Sequence, residues 1–211
     1  MIDRGTSKKI ITRLKKEYPD VAPPLKYANV YQLCIAVVLS AQTTDNQVNR
    51  VTPILFKKYG DFATLAAANV HEVEHIIKPT GFYHTKAKHI IALSQQVIEK
   101  FNGNLPADRE QLMSLPGIGR KSANVILATG FGIPAIPVDT HVARVAHRIG
   151  YCSSKKVYEI ETMLMKSIDE SEWITAHFLF IYHGRNTCMA RKPQCSHCPI
   201  TVWCSFENKN L

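Results

Sequence analysis

Apolar and polar positions alternate at helical spacing through nearly the whole chain. Residues 8–18 place Ile10, Ile11, Leu14 and Tyr18 on one face with lysines between them, the pattern of an amphipathic helix. Pro19, Pro23 and Pro24 follow and form a linker, because proline cannot continue a helix and restricts the residue before it. Asn29 is placed to cap the next helix, which carries Leu33, Ile35, Val37 and Val38 and is apolar nearly all round. Such a helix belongs at the centre of a core. The polar stretch Ser40–Asp45 separates it from a helix with Val48, Val51, Leu55 and Tyr59. Asp45 is its expected N-cap, and Pro53 is expected to kink it or shift its start.

Asp61 and Asn69 mark two short helices, and Pro79-Thr80-Gly81 marks a turn. A long amphipathic helix then carries Ala87, Ile90, Ile91, Val97, Ile98 and Phe101 on its apolar stripe and ends at Asn102-Gly103-Asn104. Pro106-Ala107-Asp108 starts a short helix leading to Leu112 and Leu115. Pro116-Gly117-Ile118-Gly119 is a tight turn between helices, followed by a helix with Ala123, Ile126, Leu127 and Gly130 on one face. The Pro- and Gly-rich stretch Phe131–Val138 is a second crossing between domains. Asp139 opens a helix with Val142, Val145, Ala146 and Ile149 that ends at Gly150. Two more helices, around 155–168 and 172–183, precede a cysteine-bearing loop. No stretch carries a strand pattern of its own, so the expected class is all-α.

Composition narrows the function. With 45% apolar residues the chain is neither disordered nor membrane-spanning, and no apolar run approaches the 18 residues of a membrane helix. The first nine residues lack the apolar core of a signal peptide, so a cytoplasmic, nucleoid-associated location is expected. Six cysteines in such a compartment point to metal or buried thiols. Cys34 and Cys152 sit in apolar contexts and are expected to pack as small hydrophobes. Cys188, Cys195, Cys198 and Cys204, spaced x6-x2-x5, can surround one metal centre. Four thiolates on zinc satisfy that spacing, and His197 within the span allows three cysteines and a histidine. The formal charge of +9 attracts polyanions, although a merely basic enzyme is as compatible with charge alone.

The turn at Gly117–Gly119 joins these strands of argument. Two glycines before a helix start can reach positive φ and let another backbone come close, and helix-start N–H groups attract an anion such as phosphate. Arg120 and Lys121 stand in the first turn of that helix. The dipole there, with Arg120 beside it, disfavours an ammonium and favours the free amine, a nucleophile for Schiff-base chemistry. A carboxylate near Lys121 opposes this, so the net effect stays open. The plainer reading is a solvated lysine that pairs with phosphate. Asp139 is by position an N-cap, and capping still leaves carboxylate lone pairs to face a substrate.

The string Leu115–Asn124, the helix start Val138-Asp139-Thr140-His141, the string Tyr182-His183-Gly184-Arg185 and the cysteine spacing together resemble the endonuclease III family of DNA repair glycosylases, over nearly the whole chain. The resemblance implies two helical domains: a helical barrel with a helix-hairpin-helix element over 23–132, and a discontinuous domain of 1–22 with 133–211 that holds a 4Fe-4S cluster on Cys188, Cys195, Cys198 and Cys204. It places the active site in the cleft between them. A four-thiolate cluster of about −2 would leave a net charge of about +7.

The activity implied is that of a monomeric bifunctional glycosylase/lyase on double-stranded DNA with oxidised or ring-damaged pyrimidines or abasic sites. Lys121 is its Schiff-base nucleophile, and Asp139 activates the amine or stabilises charge at C1′. The hairpin residues Gly117, Ile118, Gly119 and Arg120 grip phosphates, with a monovalent cation on the hairpin carbonyls. Gln42 enters the gap left by the flipped nucleotide, and Phe82 is the wedge where the family commonly has leucine. Core packing beside the long helix is the rival reading of Phe82. His141 lies near the sugar-phosphate, and Arg191 and Lys192 of the first cysteine loop contact phosphates. Two alternatives remain at this point. One is a monofunctional mismatch glycosylase, disfavoured because Ser40–Asp45 holds no glutamate and Lys121 is present. The other is a non-catalytic iron-sulfur DNA-binding module.

Overall fold

The computed structural model describes residues 2–211. Among the described residues there is no strand, and the chain forms eleven α-helices joined by turns. Contacts divide it into two compact units, Pro23–Ile133 and Met1–Ala22 with Pro134–Leu211.

The Pro23–Ile133 unit is built around α2, Val30–Leu39. Asn29 caps it by accepting from the Gln32 N–H at 3.0 Å. Tyr31 and every residue from Leu33 to Leu39 are buried, so α2 is apolar on all faces because it is enclosed on all faces. It touches α3 (Asp45–Lys58), α6 (Tyr83–Phe101) and α8 (Arg120–Val125). The short helices α4 (Phe62–Ala66) and α5 (Val70–Ile77) pack on α6. The helix α7 (Arg109–Met113) leads into the hairpin.

Three details differ from the expectations. The N-cap of α3 is Thr44, whose hydroxyl accepts from Gln47 N–H at 3.3 Å; Asp45 is the first helical residue, where its charge still complements the dipole. Pro53 lies inside α3 on an exposed face and so does not shift the start of the helix. Ile98 is 38% exposed and the buried stripe of α6 runs instead through Lys86, Ala87, Ile90, Leu93, Ser94 and Val97. Beyond α8 the helix widens into a π-turn over Ile126–Gly130, where a Cβ on Gly130 would stand 2.9 Å from the Leu33 side chain.

The second unit packs α1 (Arg4–Glu17) against α10 (Val157–Ser167) and α11 (Trp173–Asn186), with α9 (Thr140–Ile149) against α10 and α11. Its core holds Ile10, Leu14, Val142, Val145, Ile149, Leu164, Leu179 and Phe180. Each such side chain contributes on the order of 2 kcal/mol by leaving water. Tyr151 is buried among them, and its hydroxyl is satisfied by Ser7 Oγ at 2.8 Å. Gly184 lets α11 approach α9, since a Cβ there would lie 3.1 Å from His141 Cβ and 3.3 Å from Val145.

Candidate functional site

The hairpin is set by one glycine and left open by the other. Gly117 has φ +80°, and a Cβ on it would meet Val38 at 3.0 Å and His89 at 3.2 Å. It is glycine for conformation and for packing alike. Gly119 is the N-cap of α8 with φ −96°, ordinary extended backbone, so of the two glycines only Gly117 uses its freedom to reach positive φ. A Cβ on Gly119 would meet nothing within 4 Å. Its lack of a side chain instead clears the space in front of the first N–H groups of α8, which no side chain caps. Ile118 is buried beneath this turn, its N–H bonded to Leu115 O at 3.2 Å. Lys121, in the first turn of α8, is exposed, and Arg120 beside it is half-buried.

Two further turns of this unit stand together. Gln42 lies in the middle of the α2–α3 loop with φ +52°, and Phe82 precedes α6 with φ +46°. Left-handed backbone is uncommon for any side chain and an outlier for a bulky one. Phe82 is also 67% exposed, which removes core packing as its explanation. Thr43 Oγ1 hydrogen-bonds Thr80 O, and Lys86 Nζ donates to Thr43 Oγ1 at 2.7 Å and to Thr80 O at 2.9 Å. The Phe82 turn is held from its other side by His84 Nδ1, 2.8 Å from Glu74 Oε1. Lys86 and Glu74 were missed in the sequence, although a lysine in register with Ile90 and Val97 on an apolar stripe is a readable signal.

In the other unit Asp139 caps α9, its Oδ1 accepting from the Val142 N–H at 2.7 Å. It is half-buried, and a carboxylate that caps a helix keeps lone pairs free for a further contact. His141, one helical turn's start away, receives Arg144 Nη2 at Nδ1, 3.2 Å. Arg144 also donates to Gly184 O at 2.7 Å and to Cys188 O at 3.0 Å. One turn further, Arg148 donates to Met189 O at 2.7 Å, Ala190 O at 3.1 Å and Cys188 Sγ at 3.4 Å, and stacks 4.5 Å over Phe206. These two arginines fasten the start of the cysteine loop to the helix that begins at Asp139. Arg191 and Lys192 at the loop tip are exposed, and Lys192 has φ +51°.

All four cysteines line one pocket, with Arg148, His183, Ile200 and Phe206. His197 is exposed and does not line it. Among the described residues no three His, Cys, Asp or Glu side chains converge closely enough to hold a single ion. Four sulfurs around one pocket supply the four thiolates that a 4Fe-4S cluster takes. His183 is buried against this pocket, with Nε2 3.7 Å from Cys198 Sγ and Nδ1 3.3 Å from Tyr18 Oη. Burial pulls its pKa down to about 4, so the ring is neutral near pH 7.

Comparison with known proteins agrees with both parts of the site. The profile of the HhH-GPD superfamily of base excision DNA repair proteins matches residues 35–170. That of the iron-sulfur binding domain of endonuclease III matches residues 188–204, and identifies the cofactor as a 4Fe-4S cluster. Endonuclease III of Bacillus subtilis (strain 168) is 44% identical over 193 residues, covering 91% of this chain and 88% of the relative. A solved non-covalent endonuclease III–DNA complex superposes with a TM-score of 0.92 at 44% identity, covering 97% of this chain and 96% of the other. A trapped endonuclease III–DNA covalent intermediate with an estranged adenine gives the same TM-score at 43% identity, with 97% of each chain covered. By profile, sequence and structure this chain belongs to the endonuclease III family of base excision DNA repair proteins.

Proposed function

We propose that this protein removes oxidised or ring-damaged pyrimidines from double-stranded DNA and cuts the strand, with Lys121 as nucleophile and Asp139 as its carboxylate partner. The observation that carries the assignment is the exposed Lys121 amine on the first turn of α8, directly after a hairpin whose outer glycine faces open space. The hairpin N–H groups, with Ile118 buried to fix the turn and Arg120 adding charge, grip the backbone without reading sequence. A monovalent cation on the hairpin carbonyls would complete that grip.

The damaged nucleotide leaves the stack because its C1′ is otherwise out of reach. Gln42 fills the gap it leaves and Phe82 wedges the neighbouring bases apart. The Lys121 amine attacks C1′, and the base departs with the electrons of the glycosidic bond. Asp139 activates the amine or opposes the positive charge at the sugar, and His141 lies toward the sugar-phosphate. Loss of the amine proton and opening of the ring give an imine between Lys121 and C1′. The imine acidifies the C2′ proton, whose removal expels the 3′ phosphate by β-elimination. Cys188, Cys195, Cys198 and Cys204 each give one thiolate to the cluster. The cluster orders the loop that points Arg191 and Lys192 at phosphates.

No helix of the described residues is long and apolar enough to cross a membrane, and a chromosomal DNA substrate supports a cytoplasmic location. The test is borohydride trapping on a duplex containing thymine glycol, with the wild type and Lys121→Gln. A covalent adduct that disappears in the variant supports the assignment. Base release without an adduct demotes Lys121 and makes the enzyme one that uses water. Neither release nor adduct on any damaged pyrimidine leaves a DNA-binding module.

A further inference from the structure

Lys86 is a buried charge of the Pro23–Ile133 unit that the reaction above does not use. It is 5% exposed, on the core-facing stripe of α6. Among the described residues no carboxylate pairs with it; its hydrogen-bond acceptors are Thr43 Oγ1 and Thr80 O. Burying an ammonium without a counter-ion is costly, and burial lowers its pKa accordingly. Methionine would fill the same volume without that cost, so stability alone does not account for lysine here.

Its two acceptors do. Thr43 follows Gln42, and Thr80 stands two residues before Phe82. Thr43 Oγ1 itself reaches Thr80 O, and Thr80 Oγ1 donates to Ile77 O at 2.8 Å. The two turns come from distant parts of the chain, and both Gln42 and Phe82 have left-handed backbone. Neutral hydrogen bonds are weak and bend easily, whereas bonds to a buried cation are short and roughly twice as strong. We propose that Lys86 is a positioning residue that clamps the Gln42 and Phe82 turns into one rigid unit, so that both side chains enter the duplex in a single register. The proposal rests on the reading of Gln42 and Phe82 as the residues that fill and wedge the stack.

The experiment is a double-mutant cycle on the holoenzyme. Gln42→Ala, Phe82→Ala and the double variant are made in the wild-type and the Lys86→Met backgrounds. Single-turnover base release is followed on a thymine glycol duplex, and stack opening by a neighbouring 2-aminopurine. In the wild type each single loss is expected to slow release about tenfold and the pair little more, because coupled groups are non-additive. In Lys86→Met the two losses should multiply, with a thermal midpoint equal to or above the wild type. Thr43→Val removes the clamp from its other end and gives the same additivity should Lys86→Met fail to fold. Non-additivity that survives both variants overturns the clamp. Gln42→Ala and Phe82→Ala that leave release and fluorescence unchanged in the wild type overturn the reading beneath it.

Discussion

Gly117 and Gly119 stand two residues apart and are glycine for opposite reasons. Gly117 answers to the inside of the protein, through its φ of +80° and the closeness of Val38 and His89. Gly119 answers to whatever approaches from outside, since a Cβ there meets no protein atom within 4 Å. Gly117→Ala is therefore expected to lower stability by about 1–3 kcal/mol, read from the thermal midpoint. Gly119→Ala should cost only about 0.5–1 kcal/mol, through a poorer N-cap, while weakening DNA binding in a titration. Equal effects on both quantities from the two variants would contradict this division. Sequence alone did not separate them, because a glycine code says that a side chain is missing and not which side of the backbone needed the space. The four cysteines were legible for the converse reason, since their type and spacing already carry chemistry; Lys121 and Asp139 stood out only through the family resemblance. Lys86 was not singled out, since what distinguishes it is its pair of acceptors from two other loops.

At the scale of elements, caps and apolar stripes carried most of the reading. Asn29, Asp61, Asn69, Asp108 and Asp139 all cap the helices that follow them, because a short acceptor before an apolar-periodic run has few other uses. The π-turn after α8 was not legible: it coincides with the close fit of Gly130 on Leu33, a contact between residues far apart in sequence. The join between α5 and α6 is likewise tertiary. Glu74 accepts from His84 and, at 3.4 Å, from His71, and these hydrogen bonds, His84 first, hold its carboxyl below the ordinary value of 4.5. A depressed carboxyl stabilises the fold fully above that ordinary value, and the contribution is lost as pH falls through the lower, folded value. Thermal midpoints of the wild type and Glu74→Gln should thus differ most near neutrality and converge between about pH 5 and pH 3. A gap that widens on acidification would show that the carboxylate is not the stabilising form.

At the scale of the whole molecule, the two compact units invite different probes. Both tryptophans, Trp173 and Trp203, belong to the Met1–Ala22 and Pro134–Leu211 unit, and Trp203 lies between Cys198 and Cys204. The segment 188–204 has only two short 3₁₀ turns of its own, too little backbone bonding to order it without the cluster. Extraction of the iron should therefore raise tryptophan emission, lower DNA affinity, and reduce the slope of log affinity against log salt by about one to two as Arg191 and Lys192 lose their placement. An unchanged slope would take that loop out of the interface. Of the four non-glycine residues with positive φ among the described residues, three are Gln42, Phe82 and Lys192, the tips proposed to meet DNA. With Lys86 holding the Gln42 and Phe82 turns as proposed, their ordering is completed when the chain folds and not when DNA arrives. An encounter with undamaged sequence then needs no loop to freeze and none to melt on departure. Such a molecule can inspect by touch at the rate at which it diffuses, and it discriminates by how readily each base pair gives way to points that do not.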